Sequence, residues 1–291
     1  MTVLEAIQKS TEFLAKKGVE SPRLQTELLL AHQLKMPRMK LYLNFDRVLT
    51  VPETDGLREL IKRRAAREPL QHITGSTSFC GHEITVSRHA LVPRPETELL
   101  AELGWKWLEF TLQRVPEQPK GWTPTALDFG TGTGCIAIAL AAKCPNVKIT
   151  ALDISAEALA LAKQNAEQNK VAERIEFLLG DGFAALKTGN QFDLLISNPP
   201  YIASAEIETL EPEVKDFDPR AALDGGVDGL DFYRRLAAEA KLFLKPDGKL
   251  MVEFGDGHAE DIKKIFSAEK WIVEAVQEDY SHRARILVAK F

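Results

Sequence analysis

Short apolar runs alternate with helical stretches from about residue 124 to the end of the chain, and this alternation constrains the fold more than any other feature. Seven of these runs have the composition of buried strands: ALDFG, KITALD, IEFLLGD, FDLLISN, KLMVEFG, WIVEAVQ and RILVAKF. Strands that alternate with helices form parallel sheets through right-handed crossovers. The last two runs are joined only by EDYSHRA, which predicts an antiparallel pair. We therefore predict an α/β fold with a Rossmann-like, mostly parallel seven-stranded sheet and an antiparallel last strand.

Two smaller parts precede this region. Residues 1–75 predict a small helical bundle, because their apolar residues recur near a 3.6-residue period and strand signals are few. Residues 76–96 include STSFCGHEITV, whose β-branched and aromatic residues around a Cys-Gly turn predict a hairpin. We expect an N-terminal helical bundle at 1–75, a hairpin linker at 76–96 and the large α/β domain at 97–291.

Helix ends within the first part are also predictable. Gly18 suits the C-cap of the first helix, because glycine adopts a left-handed conformation at low cost. Ser21 and Pro22 open a second helix, with proline at its first position. A third helix is expected to be capped near Thr54 or Asp55.

The composition excludes several classes of protein. With 45% hydrophobic and 27% charged residues the chain resembles an ordinary globular protein. It has no apolar run of membrane-spanning length and no signal-peptide pattern, so we expect a cytoplasmic location. Three cysteines without a C-x-x-C pair, and six scattered histidines, predict neither a disulfide framework nor a metal site.

Charge is distributed unevenly along the chain. The first 75 residues hold 13 Lys and Arg against 9 Asp and Glu, whereas the remainder holds 24 against 33. An acidic large domain argues against a general DNA-backbone binder, which normally has a basic face. The basic run KRRAAR (62–67) is typical of a solvated helix face, with docking of a protein partner as the alternative.

A glycine-rich turn follows the first predicted strand of the large domain, in LDFGTGTGCIAIA. Glycines there permit unusual backbone angles and the close approach of a ligand. The spacing is G-x-G-x-G, no lysine follows as in a phosphate-binding P-loop, and the turn itself has no basic residue. These features favour a nucleoside ligand without phosphates, although backbone N–H groups alone can hold a pyrophosphate.

Acidic residues follow the next two predicted strands. Asp153 ends KITALD and can accept hydrogen bonds from both ribose hydroxyls, the alternative being an N-cap for the following helix. We expect Ser155 to cap that helix and Asp153 to bind ribose. Asp181 is placed to accept from an adenine amino group, with Gly182 leaving room for the ring, and a turn-forming Asp-Gly is the alternative.

The fourth strand of this series is followed by two prolines, in SNPPYIA (residues 197–203). Proline lacks an N–H and fixes φ, so the strand must end near Ser197 or Asn198. Ligands bind at this carboxyl edge in open α/β sheets. A simple strand-ending turn is the alternative interpretation.

Four successive strand ends thus carry a glycine turn, two acidic residues and Asn-Pro-Pro-Tyr, and this set resembles the class I S-adenosylmethionine-dependent methyltransferases with an N-P-P-Y motif. The resemblance implies S-adenosyl-L-methionine as cofactor, S-adenosyl-L-homocysteine as product, and methylation of an amino group on a planar conjugated system. Such a nitrogen is a poor nucleophile, but its NH₂ offers two donors. If Asn198 and a carbonyl within Pro199-Pro200 accept both, the lone pair is directed at the methyl group, and Tyr201 can stack on the planar group. Catalysis then comes from orientation and local polarity, without a strong general base.

The resemblance narrows when further segments are included. REPLQHITGSTSFCGHEITVSRHALVPRPETE, the glycine turn, SNPPYI, DPRAALDGGVDGLDFYRRL and VEFG match in order the HemK/PrmC family of peptide chain release factor glutamine methyltransferases. This implies methylation at N5 of the glutamine in the Gly-Gly-Gln motif of class 1 release factors. The helical domain would contact the release factor, which is the expected partner. We expect a monomer, with no membrane and no sequence-specific nucleic acid as partner.

The same resemblance assigns site residues. The expected cofactor contacts are Gly130, Thr131, Gly132, Thr133, Gly134, Asp153, Asp181, Gly182 and Asn198. The expected catalytic residues are Asn198, Pro199 and Tyr201, and the expected glutamine contacts are Asn198, Pro199, Pro200, Tyr201 and Arg94. Arg220 is expected near the site, with a structural ion pair as the alternative. No metal ligand is assigned.

Two positions depart from the family pattern. Gly182 stands where relatives often have an aromatic residue, which would leave adenine stacking to Phe183. His258 stands where glutamine is expected, and we interpret it as a surface or capping residue.

Three other functions compete with this one. A nucleic-acid methyltransferase acting on adenine N6 or guanine N2 would use the same N-P-P-Y geometry, but no target-recognition insertion is evident. A nicotinamide-dependent oxidoreductase is disfavoured by the glycine spacing. A non-catalytic release-factor or ribosome adaptor is disfavoured by the intact set of site residues.

Overall fold

A computed structural model describes residues 1–114 and 123–291, apart from the side chain of Arg114. These residues form two compact units. Unit 1 comprises Met1–Ser76 together with Glu211–Phe217, and unit 2 comprises Thr77–Leu210 and Asp218–Phe291. A short segment from the second half of the sequence therefore belongs to the N-terminal unit.

Unit 1 is helical, as predicted. Its helices are α1 (Val3–Lys16), α2 (Pro22–Gln33), α3 (Met39–Tyr42), α4 (Val51–Ala65), α5 (Leu70–Thr74) and, from the later segment, α9 (Pro212–Lys215). The start of α1 is fixed by a reciprocal capping box between Thr2 and Glu5, and its end is followed by Gly18 at φ 72°. Leucine and isoleucine side chains such as Ile7, Leu14 and Leu30 form a separate core for this unit.

The start of α4 differs from the prediction. Its N-cap is Thr50, whose side chain accepts from the backbone N–H of Glu53 while the Glu53 side chain accepts from the Thr50 backbone. The prediction of a cap at Thr54 or Asp55 was therefore wrong. Proline in the first turn is compatible with a helix, so the helix begins before Pro52 instead of after it.

The basic run 62–67 also differs from the prediction of a solvated face. Arg64 is only 3% exposed, and its guanidinium contacts a carboxylate oxygen of Glu213 at 2.6 Å. Arg67 pairs with the same Glu213 oxygen and with Glu211, both at 2.6 Å. Both partners lie in the 211–217 segment of unit 1, so these arginines hold that segment.

Unit 2 contains the predicted hairpin and sheet. Its strands are β1 (Ser76–Phe79, of which Ser76 is counted in unit 1), β2 (His82–Thr85), β3 (Thr125–Phe129), β4 (Lys148–Asp153), β5 (Ile175–Leu179), β6 (Phe192–Ser197), β7 (Leu244–Glu253), β8 (Ile272–Glu278) and β9 (Ala284–Lys290). Its main helices are α6 (Pro95–Arg114), α7 (Cys135–Lys143), α8 (Ala156–Gln168), α10 (Asp231–Glu239) and α11 (Ala259–Ala268). The hairpin turn consists of Cys80 and Gly81, both at positive φ.

The seven-stranded sheet has the order β5-β4-β3-β6-β7-β9-β8. Neighbours from β5 to β7 pair in parallel, whereas β9 pairs antiparallel with both β7 and β8. The predicted mostly parallel sheet with an antiparallel last strand is confirmed. The short connection between β8 and β9 excludes a crossover, which is why the last strand reverses direction.

Helices cover both faces of this sheet. Along β3, Ala126 belongs to the core on one face and Leu127 to the core on the other, and Leu194 and Leu195 of β6 alternate in the same way. Because both faces are buried, the central strands are apolar at nearly every position, which explains their clear signal in the sequence.

The strand order creates a switch point between β3 and β6. The chain continues from β3 outward to β4 and β5, and then returns to β6 on the opposite side of β3. Ligands bind outside the carboxyl ends of strands at such a point. The glycine turn after β3 and the two prolines after β6 both lie there. None of the helices in the described residues is long and apolar enough to span a membrane.

Candidate active site

A cleft in unit 2 opens at the carboxyl ends of β3, β4, β5 and β6, and encloses about 1080 Å³, part of it continuous with solvent. The predicted site residues that line it are Gly130, Thr131, Gly132, Thr133, Asp153, Asp181, Gly182, Asn198, Pro200 and Arg94. The cleft thus brings together residues from four strand ends and from the segment before α6. Gly134, Pro199 and Tyr201 lie outside its lining.

The glycine turn is held in place by the neighbouring strand. The backbone N–H groups of Gly130 and Thr131 both donate to the Leu152 carbonyl at 2.9 Å. Gly130 has φ 76°, and a Cβ added there would meet no atom within 4 Å, so the turn presents bare backbone. Gly134 serves a different purpose, because its added Cβ would lie 3.0 Å from the Cβ of Ala162 on α8.

Asp128, the penultimate residue of β3, stabilises this turn through hydrogen bonds to its carboxylate. Its carboxylate accepts from the Thr131 hydroxyl at 2.6 Å and from the Ala137 backbone N–H at 3.1 Å. Full burial raises the pKa of Asp128 from 3.8 to about 7, partly opposed by these two hydrogen bonds. Sequence reasoning missed this residue, although an acidic residue inside an apolar strand before a glycine turn was a usable signal.

Asp153 connects the second strand end to the turn. One carboxylate oxygen accepts from the Gly132 backbone N–H at 2.8 Å, and the other accepts from the Ser155 N–H at 2.9 Å. Ser155 is the N-cap of α8, and its hydroxyl accepts from the Ala158 N–H at 3.1 Å. The expected cap is confirmed, and Asp153 faces the cleft with both oxygens fixed.

The third strand end is bounded by an arginine that sequence reasoning missed. Arg235 on α10 lines the cleft and donates to the Asp181 carboxylate at 2.6 Å and to the Asp181 carbonyl at 2.9 Å. Gly182 lines the cleft, and a Cβ there would approach the Arg235 guanidinium at 2.6 Å.

Phe183 does not take the place of the missing aromatic residue. It is 3% exposed, and its ring packs in the core against Phe129 and Phe243 at centroid distances of 4.8 and 5.1 Å. Phe232, on the same helix as Arg235, is one of the aromatic residues that line the cleft.

The diproline corner, residues Asn198–Tyr201, follows β6, whose six residues are all buried. Ser197 fixes the end of that strand, because its hydroxyl donates to the Phe129 carbonyl of β3 at 2.6 Å. Asn198 is half-buried and its side-chain nitrogen donates to the Thr97 hydroxyl at 3.1 Å. Asn198 and Pro200 therefore face the same cleft as the glycine turn.

A second loop holds the corner in this position. The Ile202 N–H donates to the Leu223 carbonyl at 3.0 Å, and the Gly225 N–H donates to the Ile202 carbonyl at 2.8 Å. A Cβ at Gly225 would lie 2.9 Å from the Pro200 carbonyl oxygen. Gly225 is therefore required by close packing on the backbone of Pro200 and of Gly229, whereas a Cβ at Gly226 would meet the Asp231 side chain.

Tyr201 lies behind the corner, beside the apolar core on the α10 face. Its ring is close to Gly255, where an added Cβ would approach the ring at 2.8 Å. Burial raises the pKa of the Tyr201 hydroxyl, so this group stays neutral near neutral pH.

Three further polar residues have defined places. Arg94 lines the cleft and donates to the buried Asp218 carboxylate at 2.8 Å. Arg220 has a 58% exposed side chain that pairs with Asp224 and Glu208, so it has the ion-pair role that was the alternative in its prediction. His258 occupies the N-cap position of α11 without a capping hydrogen bond from its side chain.

Two buried residues next to Asn198 were also missed. Thr97 and Glu253 are 2% and 3% exposed, and the Thr97 hydroxyl accepts from the Asn198 side-chain nitrogen. Burial raises the pKa of Glu253 from 4.5 to about 7. The acidic residue that ends the apolar run LMV at the end of β7 was the available signal.

The donor set of the cleft suits a nucleoside better than a metal or a polyphosphate. A carboxylate with fixed oxygens, exposed backbone and an apolar floor formed by residues such as Ile136 and Phe232 can hold hydroxyls and a ring. No group of three or more His, Cys, Asp or Glu side chains within the described ranges is arranged to hold a metal ion.

Two protein-family models match different parts of the chain. A family model described as the PrmC N-terminal domain matches residues 5–75, and one described as the methyltransferase small domain matches residues 109–212. A protein from Geobacter sulfurreducens named release factor glutamine methyltransferase is 44% identical over 91% of this chain and 88% of its own length. Proteins of the same name from Chlorobaculum tepidum and Koribacter versatilis are 37% and 38% identical over 95% and 100% of this chain, and 93% and 99% of their own lengths.

Comparison with solved structures agrees on the fold. The N-terminal domain of human METTL16 in complex with SAH aligns with a TM-score of 0.51 at 17% identity, over 96% of this chain and 94% of that one. The human METTL16 catalytic domain with an RNA hairpin aligns with a TM-score of 0.53 at 17% identity, over 83% and 82% of the two chains. At this identity the likeness indicates a common fold.

Proposed function

The chain belongs to the release factor glutamine methyltransferase family, and from this premise we propose that it transfers a methyl group from S-adenosylmethionine to the N5 amide nitrogen of a glutamine in class 1 peptide chain release factors. The proposed target is the glutamine of the Gly-Gly-Gln motif. The observation that carries the proposal is the placement of Asn198 and Pro200 in the same cleft as the glycine turn and Asp153.

The glycine turn, Asp153, Asp181 and Gly182 are the proposed cofactor contacts. Asp153 offers two carboxylate oxygens, held by the Gly132 and Ser155 N–H groups, to ribose hydroxyls. The bare backbone at Gly130 leaves space for the amino-acid part of the cofactor. When bound, S-adenosylmethionine supplies an electrophilic methyl group on a positively charged sulfur.

The diproline corner is the proposed contact for the glutamine amide. The Asn198 side-chain oxygen and a carbonyl within Pro199-Pro200 accept the two N–H groups of the substrate NH₂. This orients the nitrogen lone pair toward the methyl group, and the new N–C bond forms as the S–C bond breaks. The methylated nitrogen then loses one proton to solvent, so the chain needs no strong base.

Tyr201 and Arg94 support this arrangement in the proposal. Tyr201 packs behind the corner and fixes the tilt of its backbone, with its hydroxyl kept neutral by burial. Arg94 lines the cleft while anchored by Asp218, and offers donors to the backbone of the substrate loop.

The experiment is mass spectrometry of a class 1 release factor after incubation with this protein and S-adenosylmethionine. We expect a mass increase of one methylene on the Gly-Gly-Gln peptide, and none when its glutamine is replaced by alanine. Methylation of adenine or guanine in RNA or DNA, with no label on the release factor, would contradict the proposal and favour the nucleic-acid alternative.

A further inference from the structure

We propose that Arg235 is a cofactor-binding residue whose guanidinium plane stacks on the adenine ring while Asp181 anchors it. The inference rests on the proposed function, since it concerns the S-adenosylmethionine site in the same cleft. Arg235 was not among the contacts expected from the sequence, and the proposed chemistry at the diproline corner makes no use of it.

The helix α10 brings two planar side-chain groups to the cleft. Phe232 and Arg235 are three residues apart on this helix and both line the cleft. Residues at this spacing lie on the same helix face, whereas adjacent residues do not. The neighbouring Arg234 does not line the cleft and instead pairs with Asp228 and Asp231. The helix therefore directs Arg235 to the cleft and Arg234 away from it.

Asp181 holds the Arg235 guanidinium in one orientation. Nη1 of Arg235 donates to the Asp181 Oδ1 at 2.6 Å, and Nη2 donates to the Asp181 carbonyl at 2.9 Å. The guanidinium Nε also lies 3.5 Å from the Glu239 carboxylate. Because the group is planar and rigid, contacts to both terminal nitrogens and to Nε fix the direction of its plane as well as its position.

One face of this guanidinium rests on Gly182. A Cβ built on Gly182 would lie 2.7 Å from the Arg235 Cζ, 2.6 Å from Nη2 and 3.1 Å from Nη1. In a planar guanidinium these three distances are met together only by a point above or below the plane, not by one at its edge. Gly182 is therefore needed for this contact, because any side chain there would meet the face of the arginine.

This contact decides which surface a base meets at the third strand end. The space above Gly182, which was expected to receive the ring, is filled by the Arg235 guanidinium. Because Arg235 lines the cleft, a base there meets the arginine and not bare glycine. A guanidinium stacks well on a flat π-system, and every nucleobase has such a face. The arginine occupies the Asp181 Oδ1, so Oδ2 is the oxygen that can accept from the adenine amino group.

The first test measures cofactor binding by calorimetry. Arg235→Ala should weaken the binding of S-adenosylmethionine and of S-adenosylhomocysteine about tenfold, because both lose the surface that covers their adenine ring. Arg235→Lys should lose nearly as much, because an ammonium group can pair with Asp181 but has no flat face. The matched control is Arg234→Ala, which removes only exposed ion pairs and should keep the dissociation constant within about twofold. Thermal unfolding without ligand verifies that each variant is folded.

The two ligands separate stacking from a simple effect of charge. S-adenosylmethionine has a positively charged sulfur, which S-adenosylhomocysteine lacks. Removal of a charge that acted only by repulsion would favour the first ligand over the second, whereas loss of stacking weakens both by the same factor. A change of more than about threefold in the ratio of the two dissociation constants would contradict stacking.

A double-mutant cycle tests the anchor. Asp181→Ala releases the guanidinium, so Arg235→Ala should weaken cofactor binding less in the Asp181→Ala background than in the unmodified protein. Additive losses would refute the anchoring by Asp181.

These measurements need no release factor, so their outcome is independent of the substrate assignment. Unchanged or tighter cofactor binding in Arg235→Ala would overturn this proposal alone, because the arginine would then be a group that the cofactor displaces from Gly182. Absence of S-adenosylmethionine binding to the unmodified protein would overturn this proposal and the proposed function together.

Discussion

At the residue scale, the most direct prediction concerns Asn198. Asn198→Ala should lower kcat by about 10²–10³-fold, because it removes one preorganised acceptor from the reacting nitrogen. The dissociation constant for S-adenosylmethionine should change by less than about threefold, because the glycine turn and Asp153 remain. Calorimetry with the cofactor and single-turnover methylation measure the two quantities.

Asn190→Ala is the control for that variant. Asn190 is exposed, its side chain accepts from the Lys187 backbone N–H, and it does not line the cleft. Its kcat should equal that of the unmodified protein. A parallel loss of cofactor affinity and kcat in Asn198→Ala would contradict a specific role in orienting the substrate.

Residues that follow strand ends could be placed at the cleft from the sequence, whereas buried residues that contact them from other elements could not. Asp153, Gly182 and Asn198 could be found because the carboxyl edge of a parallel sheet has a fixed place in the sequence pattern. Thr97 contacts Asn198 across 101 residues of sequence, and no local periodicity reveals such a pair. Phe183 shows the opposite error, since a nearby aromatic ring was expected in the site but packs in the core.

At the element scale, two glycines of the same turn should respond differently to alanine. Gly130→Ala should cost about 1 kcal/mol, because a left-handed φ of 76° is unfavourable and the added Cβ meets open space. Gly134→Ala should cost about 3 kcal/mol, because its Cβ would also press on Ala162 of α8, whose Cα lies at 3.2 Å. Urea denaturation measures both free energies of unfolding.

The effects of the same two variants on cofactor affinity should have the opposite order to their effects on stability. The added methyl group of Gly130→Ala enters the cleft and should weaken S-adenosylmethionine binding more than Gly134→Ala does. Equal losses of stability in the two variants would contradict the packing role of Gly134.

Strands that are buried on both faces were predicted well, whereas a helix start that depends on individual capping residues was predicted less well. All seven strands of the sheet were found, because strands buried on both faces are apolar throughout. The start of α4 was misplaced by several residues, because Thr54 and Asp55 are also common capping residues, whereas Thr50 forms the capping box with Glu53 and Pro52 fits the first turn.

At the scale of the whole molecule, unit 1 includes a segment that sequence reasoning assigned elsewhere. Glu211–Phe217 was expected to be part of the large domain, but it belongs with Met1–Ser76. Within unit 1, the ring of Phe217 lies 6.4 Å from that of His72. The segment follows the diproline corner in sequence and directly precedes Asp218, which anchors Arg94. The amino-acid composition of this segment does not distinguish it from an ordinary acidic surface loop. Its attachment to unit 1 depends on the Glu211 and Glu213 carboxylates, whose arginine partners are distant in the sequence.

The attachment of this segment can be tested with two neighbouring arginines. Arg64→Ala should lower the free energy of unfolding of unit 1 by about 3 kcal/mol, because a nearly buried guanidinium is lost and Glu213 keeps only Arg67. Arg63→Ala is the matched control and should cost less than about 1 kcal/mol, since Arg63 is 45% exposed and pairs with Glu68 near the surface. Thermal and urea unfolding measure both changes. The double variant Arg64→Ala/Glu213→Ala should lose less stability than the sum of the losses of Arg64→Ala and Glu213→Ala, because either single change already breaks the pair. Additive losses would mean that the arginine does not hold the segment, and its place in unit 1 would then need another cause.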